Sequence, residues 1–126
     1  MKSILLSAIF LAAIIIGSLA SIYYISNQSE TMLELLTTLE KHIDSEDWDE
    51  ANSTFKNFKD NWTKIDPKWS MLIDHYEIDY INMNLGELDA FIKSKDKTNA
   101  LAKMSSLQLL VKHIPEKEYV NLKNIF

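Results

Sequence analysis

The sequence contains no cysteine and no arginine, and only two glycines and two prolines. Without cysteine there is no disulfide, no thiol nucleophile, no thiolate zinc or iron–sulfur site and no lipid-modified cysteine of a lipoprotein. So little glycine leaves no glycine-rich loop to cradle a phosphate and too little turn chemistry for a hairpin-rich β fold. The missing arginine removes the residue that binds phosphate in bidentate fashion. Charge of either sign is also missing from residues 3–29, so that all 18 Asp and Glu, and every lysine but Lys2, fall in residues 30–126. An acidic, arginine-free domain is poorly suited to nucleic acid, because such binding depends on neutralising phosphates, and no nucleic-acid partner is expected.

What fills the uncharged stretch is apolar. Residues 4–25 read ILLSAIFLAAIIIGSLASIYYI. As a helix this run is about 33 Å long, matching a bilayer hydrocarbon core of roughly 30 Å. The rival reading is a cleaved signal peptide with Ser18-Leu19-Ala20 as its small-residue site. The run continues past Ala20 to Ile25, however, and Tyr23 and Tyr24 suit a membrane–water interface, which favours an anchor from Ile4 to Ile25. Residues 1–29 are therefore expected to be an N-terminal membrane anchor with a short linker, and residues 30–126 a helical domain. Lys2 and the α-amino group flank one end of the run, and no lysine follows the other end until Lys41. The positive-inside rule then predicts a single-pass protein of the cell membrane, with a cytoplasmic N-terminus and an extracytoplasmic C-terminal domain.

Beyond residue 29 the apolar period is helical. Met32, Leu36, Leu39 and Ile43 form one stripe. Trp48, Ala51, Phe55, Phe58, Trp62 and Ile65 alternate spacings of 3 and 4, the seam of nearly antiparallel helices. Asp66-Pro67 reads as an N-cap followed by proline at the first helical position, opening a long third helix from about Pro67 to Ser94. That helix carries two stripes, Trp69, Ile73, Tyr76, Tyr80 and Met83 on one side and Ile78, Ile81, Leu85, Leu88 and Ile92 on the other, which predicts more than one neighbour. With Trp48, Phe55, Phe58 and Trp62, Trp69 is expected in the core seam. A fourth helix runs from about Lys97 to His113, with Pro115 ending or kinking it. Residues 116–126 are expected to add a short helical turn and a tail, with Tyr119, Leu122, Ile125 and Phe126 packing back.

An offset of 49 residues superposes the two halves of this region. Met32, Leu36, Leu39 and Ile43 fall on Ile81, Leu85, Leu88 and Ile92. Ser45, Asp47 and Ala51 fall on Ser94, Asp96 and Ala100, pairing the capping residues of two turns. The expected fold is all-α: an N-terminal transmembrane helix followed by two αα-hairpins, forming a four-helix bundle or a short helical-repeat-like stack.

Chemistry-bearing residues are sparse. His75 and Asp79 are four apart and share a helix face, and a hairpin turning near residues 95–96 would bring His113 across from them. His75, Asp79 and His113 are thus the candidate metal site or buried polar network, although the paired Glu-x-x-His motifs of bundle metal sites are absent. The tryptophans and tyrosines fit a core better than a ligand pocket. His42 and the acidic run Asp44 to Glu50 sit where helix dipoles favour their charges. No nucleophile motif is present, so no enzyme activity is expected, and no cofactor.

The segments Ile73-Asp74-His75-Tyr76-Glu77-Ile78-Asp79 and Lys112-His113-Ile114-Pro115-Glu116-Lys117-Glu118, followed by Asn121-Leu122-Lys123-Asn124-Ile125, together with Asp47-Trp48 and the apolar N-terminal run, carry a resemblance. The chain resembles a bacterial domain-of-unknown-function family of small single-pass membrane-anchored helical proteins. The resemblance implies an anchored helical domain and supplies no activity, substrate or catalytic residue. The expected function is a membrane-anchored extracytoplasmic helical interaction module, meeting the bilayer through residues 4–25 and a membrane or envelope protein through its outer faces. The alternative is a metal- or small-ligand-binding sensor domain.

Overall fold

The computed structural model describes residues 1–125, the side chain of Ile125 excepted, and these residues form four helices with no strand among them. They are α1 (Lys2–Asp44), α2 (Trp48–Leu72), α3 (His75–Lys93) and α4 (Lys97–Ile125). Helix α1 packs against α2 and α4, and α3 packs against the same two, giving an all-α helical bundle in which the α2–α3 seam is the sparsest. The core is made by the expected stripes: Met32, Leu36, Leu39 and Ile43 of α1, Ala51, Phe55, Phe58 and Trp62 of α2, Ile81, Leu88 and Ile92 of α3, and Ala100, Met104, Leu107 and Val111 of α4 are all buried. Each fully buried Leu or Ile removes apolar surface worth about 1.5–3 kcal/mol from water. Trp48 packs at the edge of this core, half-buried.

The turns that join α1 to α2 and α3 to α4 have the same geometry, residue for residue, at the 49-residue offset. Ser45 and Ser94 end their helices with φ and ψ of −81°, 0° and −83°, −2°. Glu46 and Lys95 follow in the left-handed region at φ 59° and 56°. Asp47 N–H then donates to the His42 carbonyl and Asp96 N–H to the Phe91 carbonyl, both at 2.9 Å. Glu46 N–H reaches back to Ile43 and Lys95 N–H to Ile92, completing a Schellman closure at each site. The aspartates cap the next helices, accepting from Glu50 N–H and Asn99 N–H at 3.4 and 3.2 Å.

Asp66-Pro67 departs from expectation. Asp66 does not open a helix: α2 runs through Pro67 to Leu72, and the break comes at Ile73, which is extended at φ −125°, ψ 155°. The α2 seam needs Trp69 in phase with Trp62, and their rings meet edge to face at 5.8 Å. Pro67 lies on the exposed face, where the Thr63 carbonyl it leaves unpaired meets solvent. Asp66 is engaged elsewhere, accepting from the Ser70 hydroxyl at 2.8 Å. Asp74 is the cap of α3, accepting from Tyr76 N–H at 3.1 Å.

Pro115 neither ends α4 nor isolates a tail, since the helix continues to Ile125. A proline at 115 cannot donate to the Val111 carbonyl one turn earlier. The buried Ser29 hydroxyl donates to that carbonyl instead, at 2.6 Å from across the α1–α4 interface. The expected packing of Ile125 and Phe126 lies outside the described residues.

Residues just before the boundary expected at 29 pack in the bundle. Residues 26–29 are helical, not a linker, and Ile25 and Ser29 are buried in the bundle. Ile25 is thus a core residue, although it was expected at the end of the anchor. Tyr23 is exposed, while Tyr24 packs at the core edge with the Lys68 ammonium 5.9 Å from its ring centre.

Candidate functional site

Two apolar surfaces are left uncovered. The first is the outer half of α1, a helix long and apolar enough to cross a membrane, whose most apolar stretch has no residue buried within the bundle. Ile4, Leu5, Leu6, Ile9, Phe10 and Leu19 all stand exposed.

The second lies on α3 and α4. Tyr76, Tyr80 and Met83 were expected to form a second core stripe, and they are 75%, 54% and 53% exposed. The stripe Ile78, Ile81, Leu85, Leu88 and Ile92 alone serves both neighbours of α3, so the tyrosine face has no helix to meet. Leu109 of α4, also exposed, joins it beside a cleft of about 380 Å³ that holds Asp74, Glu77, His113 and Lys117 at its polar edge. Lys117 Nζ donates to Glu77 Oε1 at 2.6 Å, tying the start of α3 to α4. This hydrogen bond and the charge of Glu77 raise the Lys117 ammonium above its ordinary value. Glu118, next along, has its carboxyl raised, first by burial and then by the negative charge of Glu77.

The structure does not gather His75, Asp79 and His113 into a metal site. Among the described residues no group of three His, Cys, Asp or Glu side chains is placed to hold a metal ion. His75 and Asp79 are exposed near the start of α3, and only His113 reaches the cleft. Its Nδ1 lies 3.2 Å from Glu116 Oε2, three residues on in the same helix. Helix α3 begins at His75, which puts that residue in an exposed first turn capped by Asp74 rather than inside a long helix.

A groove of about 510 Å³ follows the sparse α2–α3 seam, beside Lys59, Trp62, Asp66, Gly86 and Asp89. It is spanned by a polar ladder. Trp62 Nε1 donates to Asn82 Oδ1 at 2.7 Å, and Asn82 Nδ2 donates to Asp66 Oδ2 at 3.4 Å. Sequence reasoning missed Asn82 and Ser29, both polar residues among apolar stripes. The signal for Ser29 was available in the four-residue spacing of Val111 and Pro115, which announces an unpaired carbonyl.

Residues 19–125 match a family model described as a domain of unknown function, DUF4363. The chain belongs to the DUF4363 family. No curated protein and no solved structure matches it. The matched segment of this DUF4363 chain takes in the whole bundle and starts at Leu19, inside the apolar half of α1 rather than after it.

Proposed function

We propose that this DUF4363 protein is a single-pass, membrane-anchored interaction module that presents its helical domain on the extracytoplasmic side. The four bundle helices are read as two αα-hairpins, a reading supported by the matching turns at Ser45-Glu46-Asp47 and Ser94-Lys95-Asp96. One observation carries the anchor. Along the single helix α1 no side chain is buried before Ile25, whereas Ile25, Met32, Leu36, Leu39 and Ile43 all are. About 19 residues, Lys2–Ala20, thus contain no buried side chain and span roughly 28 Å, close to a hydrocarbon core. Lys2 favours the cytoplasm for its end of the span.

The partner surface is the tyrosine face, Tyr76, Tyr80 and Met83 with Leu109. Exposed tyrosine and methionine at the centre of a patch, with Glu77 and Lys117 at its rim, have the composition of a protein-binding surface. An anchor that holds this face at the membrane raises its effective concentration toward membrane and envelope proteins.

Two measurements test the reading. The intact mass of the protein recovered from carbonate-washed membranes should include residues 2–20; a soluble form cut after Ala20 refutes the anchor. A photocrosslinking residue at position 80 in native membranes should capture one dominant membrane or envelope protein, whereas the same probe at Lys56, exposed on α2, should not. Equal, diffuse labelling from both positions refutes the partner face.

A further inference from the structure

We infer that the bundle does not hang from its anchor on a tether but sits end-on against the bilayer, with the α2–α3 turn and the last turns of α4 in the interfacial region of the lipid. The inference rests on the anchor reading above and adds a second lipid-binding surface to it.

The argument is one of register. Helix α1 passes from its exposed apolar half into the bundle without a break, so the bundle has no slack with which to stand away. The polar-flanked span is used up near Ala20. Two other elements end at that level. Lys68 of α2 reaches Tyr24, and α2 runs four residues further to Leu72, about 6 Å towards the apolar end of α1. On the other side, Tyr119 and Val120 share a cleft with Ile22 and Ser26. Helix α4 then continues from Val120 to Ile125, about 7 Å further along α1. The interfacial layer beyond the hydrocarbon core is itself about 5–7 Å deep, so α2 ends at its inner edge near Ala20, while the last turns of α4 enter it and reach about 4 Å past it.

The side chains at this end suit that environment. Met71 is 86% exposed, and Tyr23, Tyr119 and Val120 are each more than half exposed. Tyrosines at the headgroup level and a lysine in the last helical turn, here Lys123, are features of helices seated at an interface. The charges at this end, among them Lys68, Asp74 and Lys117, suit the headgroup level, and the opposite end, at Glu46 and Lys95, presents charged turns without tyrosine or methionine.

The occupant is therefore the headgroup and upper acyl region of the same bilayer that α1 spans. The chain has no cysteine, so single cysteines can be introduced at Met71, Tyr119, Lys95 and Phe10 in the full chain and labelled with an environment-sensitive fluorophore. The variants are then reconstituted into phosphatidylcholine–phosphatidylglycerol vesicles that carry nitroxide lipids. We expect blue-shifted emission at positions 71 and 119, quenched several-fold more by a nitroxide near the headgroup than emission at 95. Position 10 should be quenched by a nitroxide deep in the acyl chain. If 10 is quenched but 71 and 119 behave like 95, the end-on seat is wrong and the anchor stands. If 71 and 119 are blue-shifted but unquenched, protein rather than lipid covers them and the inference is overturned. If 10 is unquenched as well, the anchor reading falls and the seat with it.

Discussion

Replacing Ser29 by alanine should destabilise the bundle out of proportion to the single hydroxyl removed, and Pro115 is the reason. Ser29 and Val111 are both buried, and the Ser29 hydroxyl is 2.6 Å from the Val111 carbonyl oxygen. In an unbroken helix that carbonyl would accept from the N–H of residue 115, which proline lacks. Ser29→Ala therefore leaves a buried carbonyl unpaired, at a cost of about 1–3 kcal/mol. Pro115→Ala restores the backbone donor, and in that background the Ser29→Ala substitution should cost less than about 0.5 kcal/mol. The coupling energy of the double-mutant cycle is then about 1–2 kcal/mol, well above the error of such cycles. The assay is unfolding of the four variants in one detergent at fixed concentration, followed by far-ultraviolet circular dichroism. For a domain of this size about 1 kcal/mol moves the Tm by roughly 4 °C. If Ser29→Ala costs the same with and without Pro115, the hydroxyl is not standing in for the missing N–H and the account of how α4 passes Pro115 is wrong.

Other expectations follow from the same geometry. Glu46→Gly and Lys95→Gly each relieve a left-handed residue and should stabilise by about 1 kcal/mol, raising the Tm by similar amounts at the two sites, because the turns are alike. Asn82→Ala strands the Trp62 indole N–H, and thermal unfolding should show a loss of about 1–2 kcal/mol, while Trp62 fluorescence reports the changed environment. Glu118 has a folded-state pKa raised above its ordinary 4.5, so the folded chain binds that proton more tightly and loses stability as pH rises through this window. Glu118→Gln should accordingly be more stable than the parent at pH 7, with the gap closing as the pH is lowered past the carboxylate range; a gap independent of pH would contradict the assignment. Tyr80→Glu, at an exposed position, should leave the unfolding curve within about 0.5 kcal/mol of the parent and abolish capture of the partner from a crosslinker at Met83.

The apolar stripes made most of the bundle legible. Spacings of 3 and 4 identified the buried residues of α1, α2 and α4, and the offset of 49 residues found two turns that prove identical in backbone bonding. Pro67 was misread, and α4 does not end at Pro115, because a proline fixes only what its own backbone lacks. Whether a helix continues past it depends on what meets the freed carbonyl, and for Pro115 that is a hydroxyl 82 residues distant from Val111 in the chain. For Pro67 it is solvent, which no local pattern distinguishes from a helix start. The same gap between pattern and neighbourhood explains the site. His75 and Asp79 share a face by spacing, but the start of α3 at His75 leaves that face in water. Periodicity finds a second apolar stripe on α3 without saying what covers it. Helix α3 is already flanked by α2 and α4, and one stripe satisfies both. A second stripe on such a helix has no further helix of its own bundle to meet, and it is that arrangement, not the spacing, that turns Tyr76, Tyr80 and Met83 from core into surface.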